Sequence, residues 1–110
     1  MLSYRLRERI VLQAPVQEQD ALGEPVDRWL DAAELWAEIL PVSGREFVAA
    51  QSLQHPASFK IVLRYQTWLV AVIRPAMRIR NGATVYHIEA VLPRVGNEIH
   101  LWCSSGVQRA

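Results

Sequence analysis

The sequence lacks several features that mark common classes of protein. Its single cysteine, Cys103, cannot form an internal disulfide framework or a cysteine-rich zinc site. Its longest uninterrupted apolar run, residues 68–73, is too short to cross a bilayer. A formal net charge of +1 excludes a polybasic protein held to DNA by bulk charge. The first residues also lack the apolar stretch of a secretory signal peptide, so we expect a soluble cytosolic protein without membrane contact.

The composition is that of a folded globular protein. Of the 110 residues, 51% are apolar and 21% are charged. A chain of this length can bury a hydrophobic core without metals or disulfides, yet it is too short for two ordinary domains. We therefore expect one domain that spans residues 1–110.

Short stretches of alternating apolar and polar residues predict seven β-strands. They cover residues 9–14, 26–30, 35–40, 58–65, 77–80, 84–91 and 98–103. The polar residues 17–25 separate the first two strands and are typical of a loop. Asn81 and Gly82 predict a tight hairpin, because both tolerate a positive φ at the two turn positions.

One helix is predicted after the third strand. Ser43 and Glu46 have the spacing of a capping box, and Val42 and Phe47 occupy the positions of a hydrophobic staple. The helix then runs through residues 43–53 until a proline ends it. Many short strands with one helix predict a mainly β fold: a small antiparallel β-barrel with one short α-helix and long loops. Closure of the barrel would also remove exposed strand edges.

Catalytic and metal-binding patterns are weak. The one metal arrangement to consider combines His87, His100 and Cys103, although His100 and Cys103 should point to opposite faces of a strand. Surface histidines and a buried thiol explain the same residues more simply. No glycine-rich phosphate loop and no pair of carboxylates on one element is present. We therefore predict no enzyme activity, no catalytic residue, no bound metal and no cofactor.

The basic residues are almost all arginine, with Lys60 as the single lysine. Arg64, Arg74, Arg78 and Arg80 cluster in the second half of the chain. Arginine binds phosphates and carboxylates with two parallel hydrogen bonds, which suits nucleic acids and charged protein interfaces. The alternative is a solvated strand face with no binding role.

The apolar residues 68–73 and their flanks have two interpretations. They form either an additional buried strand or a loop that packs on a partner subunit, because a monomer seldom exposes such a patch. The missing alternation and the polar residues on both sides favour the loop. Three further tryptophans, Trp29, Trp36 and Trp102, fall in predicted strands and are expected to fill the core or one end of the barrel.

Taken in order, several segments match one known family. These are residues 7–13, 20–23, 59–65, 77–79, 86–91 and 101–103, together with Trp29 and the run from Trp36-Ala37-Glu38 to Ser43-Gly44-Arg45-Glu46. The chain resembles the head–tail joining proteins of tailed bacteriophages, also called head-completion, stopper or connector proteins. The resemblance covers about residues 5–103, and the tryptophan–alanine strand that runs into Ser-Gly-Arg-Glu is its most specific part.

The resemblance implies a structural virion protein at the head–tail interface, assembled in the bacterial host cytoplasm. Such proteins form a ring, usually of twelve copies, below the portal and adaptor rings. The ring gates the DNA exit channel and offers a docking surface to the tail terminator or tail tube protein. On this basis we expect an assembly interface at Arg45, Phe47, Trp68, Leu69, Val70 and Arg74, and contacts with the packaged DNA at Arg64, Arg78 and Arg80.

Two other functions fit the residues. The first is a stand-alone β-barrel that binds single-stranded nucleic acid through Arg64, Arg78 and Arg80 with help from surface aromatic side chains. The second is a small metal-dependent hydrolase that uses His87 and His100. The family resemblance favours the structural connector over both.

Overall fold

A computed structural model describes residues 5–19, 21–23, 25–42 and 58–105 of the protein. The strands are β1 (Glu8–Gln19), β2 (Pro25–Pro41), β3 (Phe59–Arg64), β4 (Arg78–Asn81), β5 (Thr84–Val95) and β6 (Glu98–Ser105), and a short helix, α1 (Thr67–Val72), lies between β3 and β4. The six strands close into an antiparallel barrel in the order β1-β2-β3-β6-β5-β4. The predicted fold class, a mainly β antiparallel barrel with a short helix, is therefore confirmed.

The barrel interior is filled by side chains that recur at every second strand position. Ile10 and Leu12 of β1 are fully buried, as are Ile99, Leu101 and Cys103 of β6. This is the phase that the alternating sequence predicts, because successive side chains of a strand point to opposite faces of the sheet. The pattern of apolar residues is thus sufficient to locate most of the core.

One β-bulge merges two predicted strands into one. Residues 26–30 and 35–40, predicted as separate strands, both belong to β2. Leu12 pairs with Ala33 whereas Gln13 pairs with Asp31, so Ala32 is an extra residue on the β2 side. A bulge takes up one residue without ending the strand, but it breaks the period-two pattern. In the sequence such a break looks like a strand boundary, so the alternation predicts seven strands where the described residues form six.

The distal part of β1 and β2 projects from the barrel. β4 pairs with β1 only at residues 11–13, and β3 pairs with β2 only at residues 37–41. Residues 15–19 and 25–29 pair with each other, and the turn residues 21–23 follow at the tip. We call the described residues between 15 and 30 the arm. It contributes to the elongated shape of the molecule, whose principal extents are 51 × 28 × 25 Å, and it replaces most of the loop predicted at residues 17–25.

The hairpin between β4 and β5 is confirmed, but its turn is displaced by one residue. Asn81 pairs with Thr84, so the two turn positions are Gly82 and Ala83. Gly82 has a φ of +60°, and Ala83 does not share a positive φ. A positive φ at the first turn position alone is the requirement of a type II′ turn, whereas the sequence predicted a turn with a positive φ at both positions.

The apolar run at residues 68–73 is neither a strand nor a loop. It forms α1, in which Leu69 is fully buried and Ile73, just after the helix, is 6% exposed. These two residues are four apart and therefore lie on the same side of a helix, while Trp68 and Val72 remain exposed. The absence of alternation was a real signal, but it indicated a period of 3.6 and not an irregular segment.

The helix predicted at residues 43–53, with its capping box, lies outside the described residues. Among the helical residues that the structure does describe, no segment has the length and hydrophobicity needed to span a membrane.

Candidate functional site

A groove of about 670 Å³ opens on the protein surface where β1, β2, β3 and α1 come together. We call it the tryptophan groove. It is lined by Leu6, Arg7, Arg9, Glu34, Leu35, Trp36, Leu63, Arg64, Gln66 and Trp68. These residues come from four separate parts of the chain, so only the closed barrel assembles them.

The groove has an apolar floor and aromatic walls. Leu6 and Leu35 are each 7% exposed and Leu63 is 1% exposed, so they belong to the packed interior beneath the groove. Trp36 and Trp68 in contrast are 53% and 48% exposed. Large aromatic side chains that stay half in water are typical of protein interfaces, where a partner covers them and gains their burial energy.

Hydrogen bonds and charge hold the walls of the groove in place. The Nε1 of Trp68 donates to the Oε1 of Gln66 at 2.9 Å. The Nη2 of Arg9 donates to the Oε1 of Glu34 at 3.0 Å, and the guanidinium lies 5.1 Å from the ring centroid of Trp36. Both indoles are therefore restrained before any partner arrives.

The groove carries a net positive charge. Its lining holds three arginines, Arg7, Arg9 and Arg64, against one carboxylate, that of Glu34. Glu34 is paired with Arg9, and within the described part of the chain neither Arg7 nor Arg64 forms a side-chain ion pair. Two cationic side chains are therefore available to an acidic partner.

The predicted assembly residues separate into different environments. Trp68 lies in the groove, but Leu69 is fully buried, which corrects its assignment to an exposed interface. Val70 is half-buried and packs against the core, while Arg74 is exposed just after α1. Arg45 and Phe47 lie outside the described residues. The helical period explains the division, because neighbouring residues of a helix face different directions.

The three predicted DNA contacts do not form one patch on a single chain. Arg64 belongs to β3, whereas Arg78 and Arg80 belong to β4. In the closed order of six strands, β3 and β4 are three positions apart in both directions, which places them on opposite sides of the barrel. A nucleic acid strand cannot follow all three arginines along one groove of a monomer.

Arg78 is tied into a network at the base of the arm. Its Nε donates to the Oε1 of Gln13 at 2.7 Å, and the Nε2 of Gln13 donates to the Oδ1 of Asp31 at 2.8 Å. The guanidinium also lies 4.2 Å from the ring centroid of Trp29. Burial, and secondarily the charge of Arg80, lowers the pKa of Arg78. Arg78 therefore connects β4, β1 and β2 and is less accessible than an ordinary surface arginine.

This network could not be predicted from the sequence, because its residues meet only when β4, β1 and β2 lie side by side. Gln13 is 6% exposed, although its alternation places it on the outer face of β1. Trp29, Trp36 and Trp102 also lie outside the buried core, which corrects the first of the two placements predicted for them, the core or one end of the barrel. Each carries a cation over its ring, namely Arg78, Arg9 and Lys60 respectively. A tryptophan covered in this way packs well on an outer face.

The residues considered for a metal site are not arranged to bind one metal ion together. Cys103 is fully buried and faces the interior, and burial raises the pKa of its thiol. His100 is three positions earlier on the other face of β6, where its Nε2 lies 2.7 Å from the Oε1 of Glu98. Within the described ranges, no three His, Cys, Asp or Glu side chains are grouped closely enough to hold a metal ion.

Two solved structures are similar to this chain over nearly its whole length. No curated protein matches the chain. The solution structure of protein SF1141 from Shigella flexneri 2a is 27% identical, with a TM-score of 0.78 over 99% of this chain and 100% of that one. A chain in the virion of a native gene transfer agent particle is also 27% identical, with a TM-score of 0.64 over 94% of this chain and 97% of that one.

A family model decides the relationship. The model of the phage head completion protein matches residues 1–106, which is nearly the whole chain. This match agrees with the resemblance that the ordered sequence segments indicated. On this ground the chain belongs to the phage head completion protein family.

Proposed function

We propose that this protein forms a ring, of twelve copies, below the portal or adaptor ring, where it joins the head to the tail and gates the DNA exit channel. Family membership makes the chain a structural protein of a phage or phage-like particle. The ring, its position and its control of DNA are the proposal. It includes no catalytic step.

The observation that supports this proposal most directly is the likeness to a chain of a gene transfer agent virion. That likeness covers almost the full length of both chains. A barrel of this kind is therefore compatible with incorporation into an assembled particle. Because the family match spans residues 1–106, we assign the whole chain to one domain with this role.

The described surface suits assembly through side chains. A closed barrel has no free sheet edges at its body, so it cannot polymerise by adding strands there. The exposed Trp68, with Val70 and Arg74 on the same segment, is the described part of the proposed interface with neighbouring ring proteins. Arg45 and Phe47 complete the proposed interface from residues outside the described ranges. The partners on the two sides are the portal or adaptor ring and the tail terminator or tail tube protein.

Contacts with packaged DNA are proposed for Arg64 and Arg80, and secondarily for Arg78. Arginines that face a channel bind phosphates without reading base sequence. Since Arg64 and Arg80 lie on opposite sides of the barrel, they face the channel together only if different surfaces of neighbouring copies contribute. Arg78 already holds Gln13, so its loss should affect the arm before it affects DNA.

Deletion of the gene from its own phage or phage-like particle tests the proposal. We expect DNA-filled heads without tails, and restoration of tailed particles when the wild-type chain is supplied. Electron microscopy of the restored particles should place a ring directly below the portal. Normal tailed particles in the absence of the chain, or density for the chain elsewhere in the particle, would refute the proposed position.

A further inference from the structure

We propose that the tip of the arm of one copy docks in the tryptophan groove of the next copy, with Leu22 seated against Trp36 and Trp68. This inference rests on the proposed ring and names the contact that builds it. The occupant of the groove is thus a segment of a second copy of this chain.

The arm presents an apolar side chain at its end. Leu22 lies in the turn between β1 and β2 and is 87% exposed, the largest exposure among the described large apolar residues. The groove offers the matching surface, since the leucines of its floor are buried from water and the indoles of Trp36 and Trp68 are half-exposed. An apolar anchor that enters an aromatic pocket is the usual form of an energetic hot spot.

The sequence of the arm and the lining of the groove carry opposite net charges. Residues 15–27 include Glu18, Asp20, Glu24 and Asp27, and no lysine or arginine occurs between Arg9 and Arg28. The groove has three arginines and one glutamate. Opposite charges on two surfaces speed their encounter and fix their orientation, while like charges at the wrong surface oppose binding.

The arm cannot reach the groove of its own chain. The groove is lined by Arg9 near the start of β1, whereas the tip follows Gln19 at the end of that strand. Ten residues of extended strand separate the two by roughly 33 Å. A surface at one end that fits a different surface at the other end makes a head-to-tail contact, and such contacts close into rings when the rotation between copies allows it.

The arm is better suited to contact by its tip than by its edges. Pro15 lies in β1 and Pro25 begins β2. Proline has no backbone N–H and restricts the pairing of an exposed strand edge with another chain. The exposed Leu22 is free of this restriction because side-chain docking needs no ladder of backbone hydrogen bonds.

Photo-cross-linking of full-length chains tests the contact directly. One copy carries benzoylphenylalanine in place of Leu22, and it is mixed with an isotope-labelled wild-type copy at about 1 mM, a concentration comparable to that of tethered partners. We expect cross-links between copies that map to groove peptides containing Trp36 or Trp68. Absence of cross-links, or cross-links to other surfaces, overturns the inference.

A charge exchange provides the control. Arg64→Glu in the acceptor copy should lower the cross-link yield about tenfold, and Glu18→Lys with Asp27→Lys in the donor copy should restore it. Arg80→Glu, on the opposite side of the barrel, is the matched variant; because the mixture contains no DNA, the proposed DNA contact of Arg80 plays no part and the yield should be unchanged. An equal loss with Arg80→Glu, or no loss with Arg64→Glu, refutes the role of charge complementarity.

The result separates this inference from the function on which it depends. If deletion of the gene removes tails but the cross-links map elsewhere, the ring stands and the arm contact is wrong. If the chain is dispensable for tail attachment, the proposed function fails whatever the cross-links show.

Discussion

Leu69→Ala distinguishes the core role of α1 from its surface role. Leu69 is fully buried in the main core cluster. The helix that carries it has six residues and no side-chain hydrogen bond at its N-cap. A helix this short is unstable alone, so packing must hold it in place. Removal of the leucine side chain should therefore loosen α1 as well as leave a cavity.

The expected cost follows from the burial. The substitution removes three carbons, which at about 0.8 kcal/mol each gives about 2.4 kcal/mol of lost transfer free energy. The cavity adds to this, so we expect a decrease of about 3 kcal/mol in the free energy of unfolding, inside the range of about 2–5 kcal/mol for such substitutions. For a chain of this size the melting temperature should fall by about 12–24 °C.

Urea unfolding followed by far-UV circular dichroism measures the effect. Trp68→Ala is the matched control on the same helix. Because Trp68 is 48% exposed, its loss should cost about 1 kcal/mol. A Leu69→Ala cost below 1 kcal/mol, or a Trp68→Ala cost that equals or exceeds it, would refute the assignment of Leu69 to the core and of Trp68 to the surface.

Three further predictions concern other parts of the barrel. Gly82→Ala should lower the free energy of unfolding by about 1–2 kcal/mol, because φ is +60° at this position and disfavours a residue with a Cβ. No atom lies within 4 Å of the new Cβ, so the backbone conformation alone causes the loss. Ala83→Gly is the control, and an equal loss at both positions in thermal melts would contradict the type II′ turn. The hydrogen bond from His100, with the charge of Arg5, holds the pKa of Glu98 below its ordinary value of 4.5 although burial opposes this. The resulting stability is present above pH 4.5 and is lost as pH falls through the lower folded value, so urea titrations should show the wild type losing its advantage over Glu98→Gln in acid; an advantage that grows in acid would refute the assignment. Cys103 should resist alkylation at pH 8 in the native protein and react once denatured, since its thiol is buried and its pKa is raised; rapid native labelling by mass spectrometry would contradict its placement.

The period-two pattern was sufficient to predict the fold class. In the third and last strands, apolar residues at every second position determine which side faces the interior, and the observed burial of Ile61, Leu63, Ile99 and Leu101 agrees. This works because each strand of a barrel has one dry and one wet face, so the requirement is written in the sequence residue by residue. The ordered motifs were likewise sufficient for the family, which the match over residues 1–106 confirms.

Features that depend on neighbouring strands could not be read from the sequence in this way. The bulge opposite Leu12 kept β2 continuous through Ala32 because the pairing of β1 continued on both sides of it. The run at residues 68–73 became helical because Leu69 could fill the core between strands that are distant in sequence. In both cases tertiary packing determined the structure, because it contributes more free energy than the intrinsic preference of a few residues.

The candidate site likewise has some features that the sequence predicts and others that only the fold determines. The sequence by itself determined the residue types: an excess of arginine, four tryptophans, an apolar segment that included Trp68, and the family to which they belong. Only the tertiary structure decided that Trp68 and Arg64 share a groove with Trp36, and that Arg78 and Arg80 lie on the opposite side of the barrel. The physical reason is closure, because the order of strands around a barrel is set by long-range pairing, and this order decides which outward side chains become neighbours.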